Sequence, residues 1–116
     1  MTCDGFRSAY DPELDARFGT AALEAAIDHA GACPACSDWY MHHEVEAAGG
    51  IPDAHPCVHM AYHSLHQCLD HADARDCPET LIVHWQGTYA LPIRDGSRAT
   101  IPIGFCPWCG VPLPRR

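Results

Sequence analysis

The sequence predicts an α+β fold, with a helical first half and a small three-stranded antiparallel meander in the second. Three observations carry this. Alanine-rich stretches bounded by capping residues fill the chain to about residue 50. Short runs rich in Ile, Val, Thr and Tyr, separated by turn residues, occupy 80–103. The last run leads into Cys106-Pro107-Trp108-Cys109-Gly110, a Cys-x2-Cys knuckle. At 116 residues the chain has the length of one domain. It reads as a single metal-binding domain over 1–116, with a helical extension at 1–50 and the meander and knuckle in 51–116.

Asp11, Pro12 and the Gly19 stop predict a short helix at 12–18. Thr20 can cap a second helix over about 21–30, ended by Gly31. After Cys33-Pro34-Ala35-Cys36, Ser37 or Asp38 can cap a third, which Gly49-Gly50 stops after Ala48. Residues 51–56 read as a loop. A fourth helix is expected from about Cys57 to Ala72. Its Met60, Ala61, Leu65, Cys68, Leu69 and Ala72 fall on one side by the helical step of about 100°, and His59, His63, His66 and Asp70 on the other. Thr80–Trp85, Tyr89–Ile93 and Ala99–Ile103 read as strands, the last two joined by the Arg94-Asp95-Gly96-Ser97 turn. Pro92 and Pro102 favour edge or bulge positions.

The core material is thin. Leu, Ile, Val and Phe number 20, about 17% of the chain, against a net charge of −8, a balance that ordinarily tends to disorder. Eight Cys and nine His stand beside them, and metal ligands or disulfides are what stabilise a small domain whose core cannot. The start Met-Thr-Cys-Asp-Gly-Phe has no basic and apolar leader, so a cytoplasmic protein is expected, and in a reducing compartment the cysteines read as ligands rather than disulfide halves. No apolar run approaches the roughly 18 residues of a membrane span. Seven arginines, no lysine and fifteen acids argue against nucleic acid and favour a basic partner or a cation.

Cys106 and Cys109 have the spacing that grips a tetrahedral metal, and Gly110 lets the backbone close in behind the second sulfur. A redox Cys-x2-Cys pair usually opens a helix, and Val111-Pro112-Leu113-Pro114 excludes one here. Structural zinc takes four ligands, so others must join. Cys68 and His71, one helical turn apart, can both reach one metal, the alternative being a buried thiol and a surface imidazole; Cys77 and Cys57 are the other near candidates. Cys33 and Cys36 also read as a metal pair, although the helix after them allows thiol redox chemistry. Cys57, His42, His43 or Cys3 can complete that second site, or the two pairs can meet. His59, His63 and His66 read either as a solvated face or as a metal or water-activating group. No His-Glu-x-x-His, Gly-x-Ser-x-Gly or phosphate-binding glycine loop is present.

From Cys57 onward the chain resembles a family of short, functionally uncharacterised bacterial proteins ending in Cys-Pro-Trp-Cys-Gly. The likeness rests on Cys57, Met60, Cys68, His71, Asp76-Cys77-Pro78, Leu81-Ile82, Asp95-Gly96 and Phe105-Cys106-Pro107-Trp108-Cys109-Gly110 with Leu113-Pro114. It implies a zinc-ribbon-like half at 51–116 with ligation through Cys68, His71, Cys77, Cys106 and Cys109, and implies no activity. That family often has a Cys pair where this chain has Pro56-Cys57 and lacks the extension bearing Cys33 and Cys36, leaving open whether those two replace the missing thiol. The tail also looks like one of the two rubredoxin knuckles, which makes iron the alternative to zinc. The expected function is a small zinc protein with a structural site, acting through a protein partner in an accessory or immunity-type role. The rival is a metal-dependent enzyme or thiol redox protein using an open Cys/His site or the Cys33/Cys36 pair.

Overall fold

The structure, a computed structural model, describes residues 1–11, 18, 20–65, 70–71 and 73–114. It is α+β, and the chain divides into two compact units, Met1–Gly49 and Gly50–Arg116.

Among the described residues the first unit holds three helices: α1 (Cys3–Ala9), α2 (Thr20–Ala32) and α3 (Pro34–Ala47). The sequence did not predict α1. Its signal is Thr2, whose hydroxyl accepts the Gly5 N–H at 3.0 Å as an N-cap. The helix expected at 12–18 falls mainly on residues outside the described set. Helix α2 runs past Gly31, and α3 is capped at Cys33 instead of at Ser37 or Asp38. Both differences arise at Cys33, whose N–H donates to the His29 carbonyl at 2.8 Å while its own carbonyl accepts from Ser37 N at 3.0 Å. A single residue thus joins the two helices, and Pro34, with its pre-set φ, takes the first position of α3. Phe6, Phe18, Ala26 and Cys36 form the buried core, with Tyr10, Trp39 and Tyr40 packed against it. Phe6 and Phe18 lie 5.1 Å apart by centroid, and Tyr10 meets Trp39 edge-on at 5.4 Å. The Tyr10 hydroxyl donates to Glu44 at 3.0 Å.

The second unit opens with a 3-10 turn at Pro52–Ala54, followed by α4 (Val58–Ser64) with Cys57 as its N-cap residue. The expectation of a helix to residue 72 is corrected: Leu65 closes α4, and Asp70 and His71 are not helical. The Ser64 hydroxyl bonds back to the Ala61 carbonyl at 3.4 Å, a side-chain bond of the kind that competes with helix propagation. The strands β1 (Val83–Trp85), β2 (Thr88–Pro92) and β3 (Thr100–Pro102) form an antiparallel meander in the order β1-β2-β3. Gln86 and Gly87, with φ of 52° and 77°, supply the two left-handed residues of a tight hairpin. Between β2 and β3, Asp95 accepts from Ser97 N at 2.9 Å around Gly96. Pro102 lies on an edge strand as expected, but Pro92 ends the central strand, opposite Thr100. Met60, Ile82, Tyr89, Cys106 and Leu113 form the core, with Cys57, Ile103 and Val111 against it. Among the described residues no helix is long and apolar enough to cross a membrane.

Candidate metal centre

The knuckle is built by the backbone. Phe105 and Pro112 form an isolated antiparallel bridge. Inside it Cys106 N donates to Val111 O, and Gly110 N to Cys106 O, both at 2.9 Å. Gly110 turns the chain at φ 75°, a conformation glycine adopts without cost. The N–H groups of Trp108 and Cys109 point at Cys106 Sγ, at 3.4 and 3.5 Å. Two donors aimed at one sulfur favour its thiolate form.

Helix α4 brings the remaining ligands. Cys57 precedes its first turn and His59 lies within it. One donor atom each from Cys57, His59, Cys106 and Cys109 falls within 4.8 Å of the others. A Cys3His set at that separation suits a tetrahedral cation with every position taken by protein. Burial pushes the Cys57 thiol up to about 12, the neighbouring Cys106 and Cys109 adding to the effect against the Met60 N–H. Burial pushes Cys106 up as well, but the N–H groups of Cys109 and Trp108 outweigh it and hold that thiol below its usual value. In the absence of a cation the cluster therefore shares protons unequally, and binding one releases them. The exposed Trp108, between the two knuckle cysteines, lies flat on His63 at 4.1 Å and 9°, and nearly parallel to His59 at 6.2 Å.

Cys106 and Cys109 are brought together with Cys57 as candidate ligands. Cys77 is buried and His71 half-buried, and among the described residues neither belongs to a ligand cluster. Cys68 lies outside the described residues. Cys33 and Cys36 enter a different group, with Cys3 and His29 in the first unit. His59 is the fourth member that the sequence reading placed instead on a histidine face. Its signal is local, two residues beyond Cys57 in the first turn of the helix that Cys57 opens.

A family model described as a domain of unknown function, DUF6980, matches residues 54–116, more than half of the chain and all four residues of this cluster. The chain belongs to the DUF6980 family. No curated protein and no solved structure matches it. The Cys33/Cys36 group lies before the DUF6980 match.

Proposed function

We propose that this DUF6980 protein is a small zinc-binding protein in which Cys57, His59, Cys106 and Cys109 hold a structural ion, and that it acts through a protein partner rather than by catalysis. The observation that carries the reading is the closed donor set: three sulfurs and an imidazole nitrogen within 4.8 Å leave no coordination position for substrate. Zinc is favoured over iron because the set includes an imidazole, whereas rubredoxin-type iron takes four thiolates.

Support for a partner comes from the surface of the second unit. Trp85, Ile101, Phe105 and Trp108 are each 45% exposed or more. Large aromatic and aliphatic side chains left in water are what protein interfaces collect. The net charge of −8 favours a basic partner surface.

Metal content by plasma mass spectrometry, with thiol titration before and after chelation, tests the site. Zinc that disappears in the Cys106→Ser/Cys109→Ser variant, with thiols protected until the chelator is added, is the expected result. Less than about one metal per chain with fully reactive thiols overturns the structural-zinc reading, and an exchangeable water on the bound metal transfers the assignment to a metalloenzyme.

A further inference from the structure

The first unit contains a second convergence of donors. Cys3, His29, Cys33 and Cys36 each place one ligand atom within 4.8 Å of the others. Three of them come from a single corner. His29 lies in the last turn of α2, Cys33 follows four residues later with its N–H bonded to the His29 carbonyl, and Cys36 lies in the first turn of α3. The extended backbone of Cys33 turns α2 into α3, and the donor atoms of all three gather at that turn. Cys3, the first residue of α1, arrives from the other end of the unit.

The distances fit an ion. Cys3 Sγ and Cys33 Sγ stand 3.9 Å apart. That is far beyond the roughly 2.05 Å of a disulfide, and close to the edge of about 3.8 Å in a tetrahedron with metal–sulfur bonds of about 2.3 Å. A second, independent sign is His29 Nε2, which is buried and has no hydrogen-bond partner among the described residues. A buried imidazole nitrogen left in that state costs free energy that its neutralisation by a ligand would recover. The α3 N-terminus adds a positive partial charge beside Cys33, its N-cap residue.

We propose that Cys3, His29, Cys33 and Cys36 form a second, independent site for a thiophilic divalent cation of the zinc class, and that this ion fastens α1 to the α2–α3 corner. The site goes beyond the function proposed above, since it precedes residue 54 and uses none of the DUF6980 ligands. Cys3 is exposed while Cys36 is fully buried, so Cys3 is the ligand that leaves first when the ion is withdrawn.

The test uses the full chain purified with zinc. Mass spectrometry is expected to find two zinc ions per chain, and one in each of the Cys33→Ser/Cys36→Ser and Cys106→Ser/Cys109→Ser variants. A Cys3→Ser variant, which keeps three ligands, guards against loss of metal through misfolding. With cobalt in place of zinc, it is expected to lose part of the sulfur-to-cobalt absorption and to yield its ion to a chelator at least tenfold more readily. The proposal is overturned if the Cys33→Ser/Cys36→Ser variant retains the full zinc content, or if Cys3→Ser leaves both the cobalt spectrum and the chelator competition unchanged. Failure of the DUF6980 site would appear instead as undiminished zinc in the Cys106→Ser/Cys109→Ser variant.

Discussion

Chelation is the sharpest perturbation of the second unit, because the metal cluster and the core share a side chain. Cys106 belongs to the buried core group, and Cys57 packs against it. Removing the ion leaves Met60, Ile82, Tyr89 and Leu113 as the core's other buried members. A core in a domain below about 70 residues rarely supplies more than about 3–5 kcal/mol net. An ion present at a thousand times its dissociation constant contributes about 4 kcal/mol. The two quantities are equal in size, so the ion supplies about half of the stability of this unit. At roughly 4–8 °C per kcal/mol, the loss corresponds to a fall in melting temperature of about 15–30 °C. Near-UV and far-UV circular dichroism melts, before and after a strong chelator and again after stoichiometric zinc, give the readout. The expected result is a transition lowered by that amount and its return with zinc. A chelated protein, verified metal-free, whose melting temperature is unchanged refutes the argument.

Other expectations address single contacts. Tyr89→Phe removes the 2.6 Å hydrogen bond between the Tyr89 hydroxyl and His55 Nδ1 and should cost about 1 kcal/mol, read as a lower denaturation midpoint of the zinc-loaded protein with unchanged slope. Gly110→Ala meets no steric obstacle but must adopt φ 75°; a penalty of about 1–2 kcal/mol is expected, and weakened zinc retention in chelator competition checks it. Hydrogen bonds from the Arg75 side chain and N–H hold the Asp73 carboxyl well below the usual carboxylate range. Its stabilisation is present above the unfolded value near 3.9 and disappears as pH falls through the lowered folded value. Asp73→Asn should therefore lower the melting temperature at pH 7, and the difference should shrink in melts taken below about pH 4. Phe6→Ala empties the centre of the first unit, a change worth about 3–5 kcal/mol; loss of its helical signal in a melt is the expected outcome.

The parts of this protein legible in its sequence are those fixed by neighbours along the chain. The meander follows from β-branched runs and the turns at Gln86-Gly87 and Asp95-Gly96. The knuckle follows from Cys106, Cys109 and Gly110, because its geometry closes within a few residues. Ligands brought from a distance carry no such local signature. Periodicity groups His59 with His63 and His66; its place two residues beyond Cys57 separates it from them only once α4 approaches the knuckle. Cys3 is useful only once α1 exists, and that helix depends on a cap by Thr2 in a stretch with little apolar periodicity. His29 looks like a residue in an alanine-rich helix until Cys33 turns the chain into α3. An apolar stripe through residue 72 says nothing about where backbone hydrogen bonding stops, and α4 closes at Leu65.

The placement of Trp108 gives the knuckle an optical handle. An indole flat against the His63 imidazole and one residue from the Cys109 sulfur sits beside groups whose electronic state changes when a cation binds. Its emission should therefore change with metal loading. With Trp39 and Trp85 replaced by Phe, a single-tryptophan protein would allow ion capture and partner docking at the DUF6980 unit to be followed by fluorescence in real time.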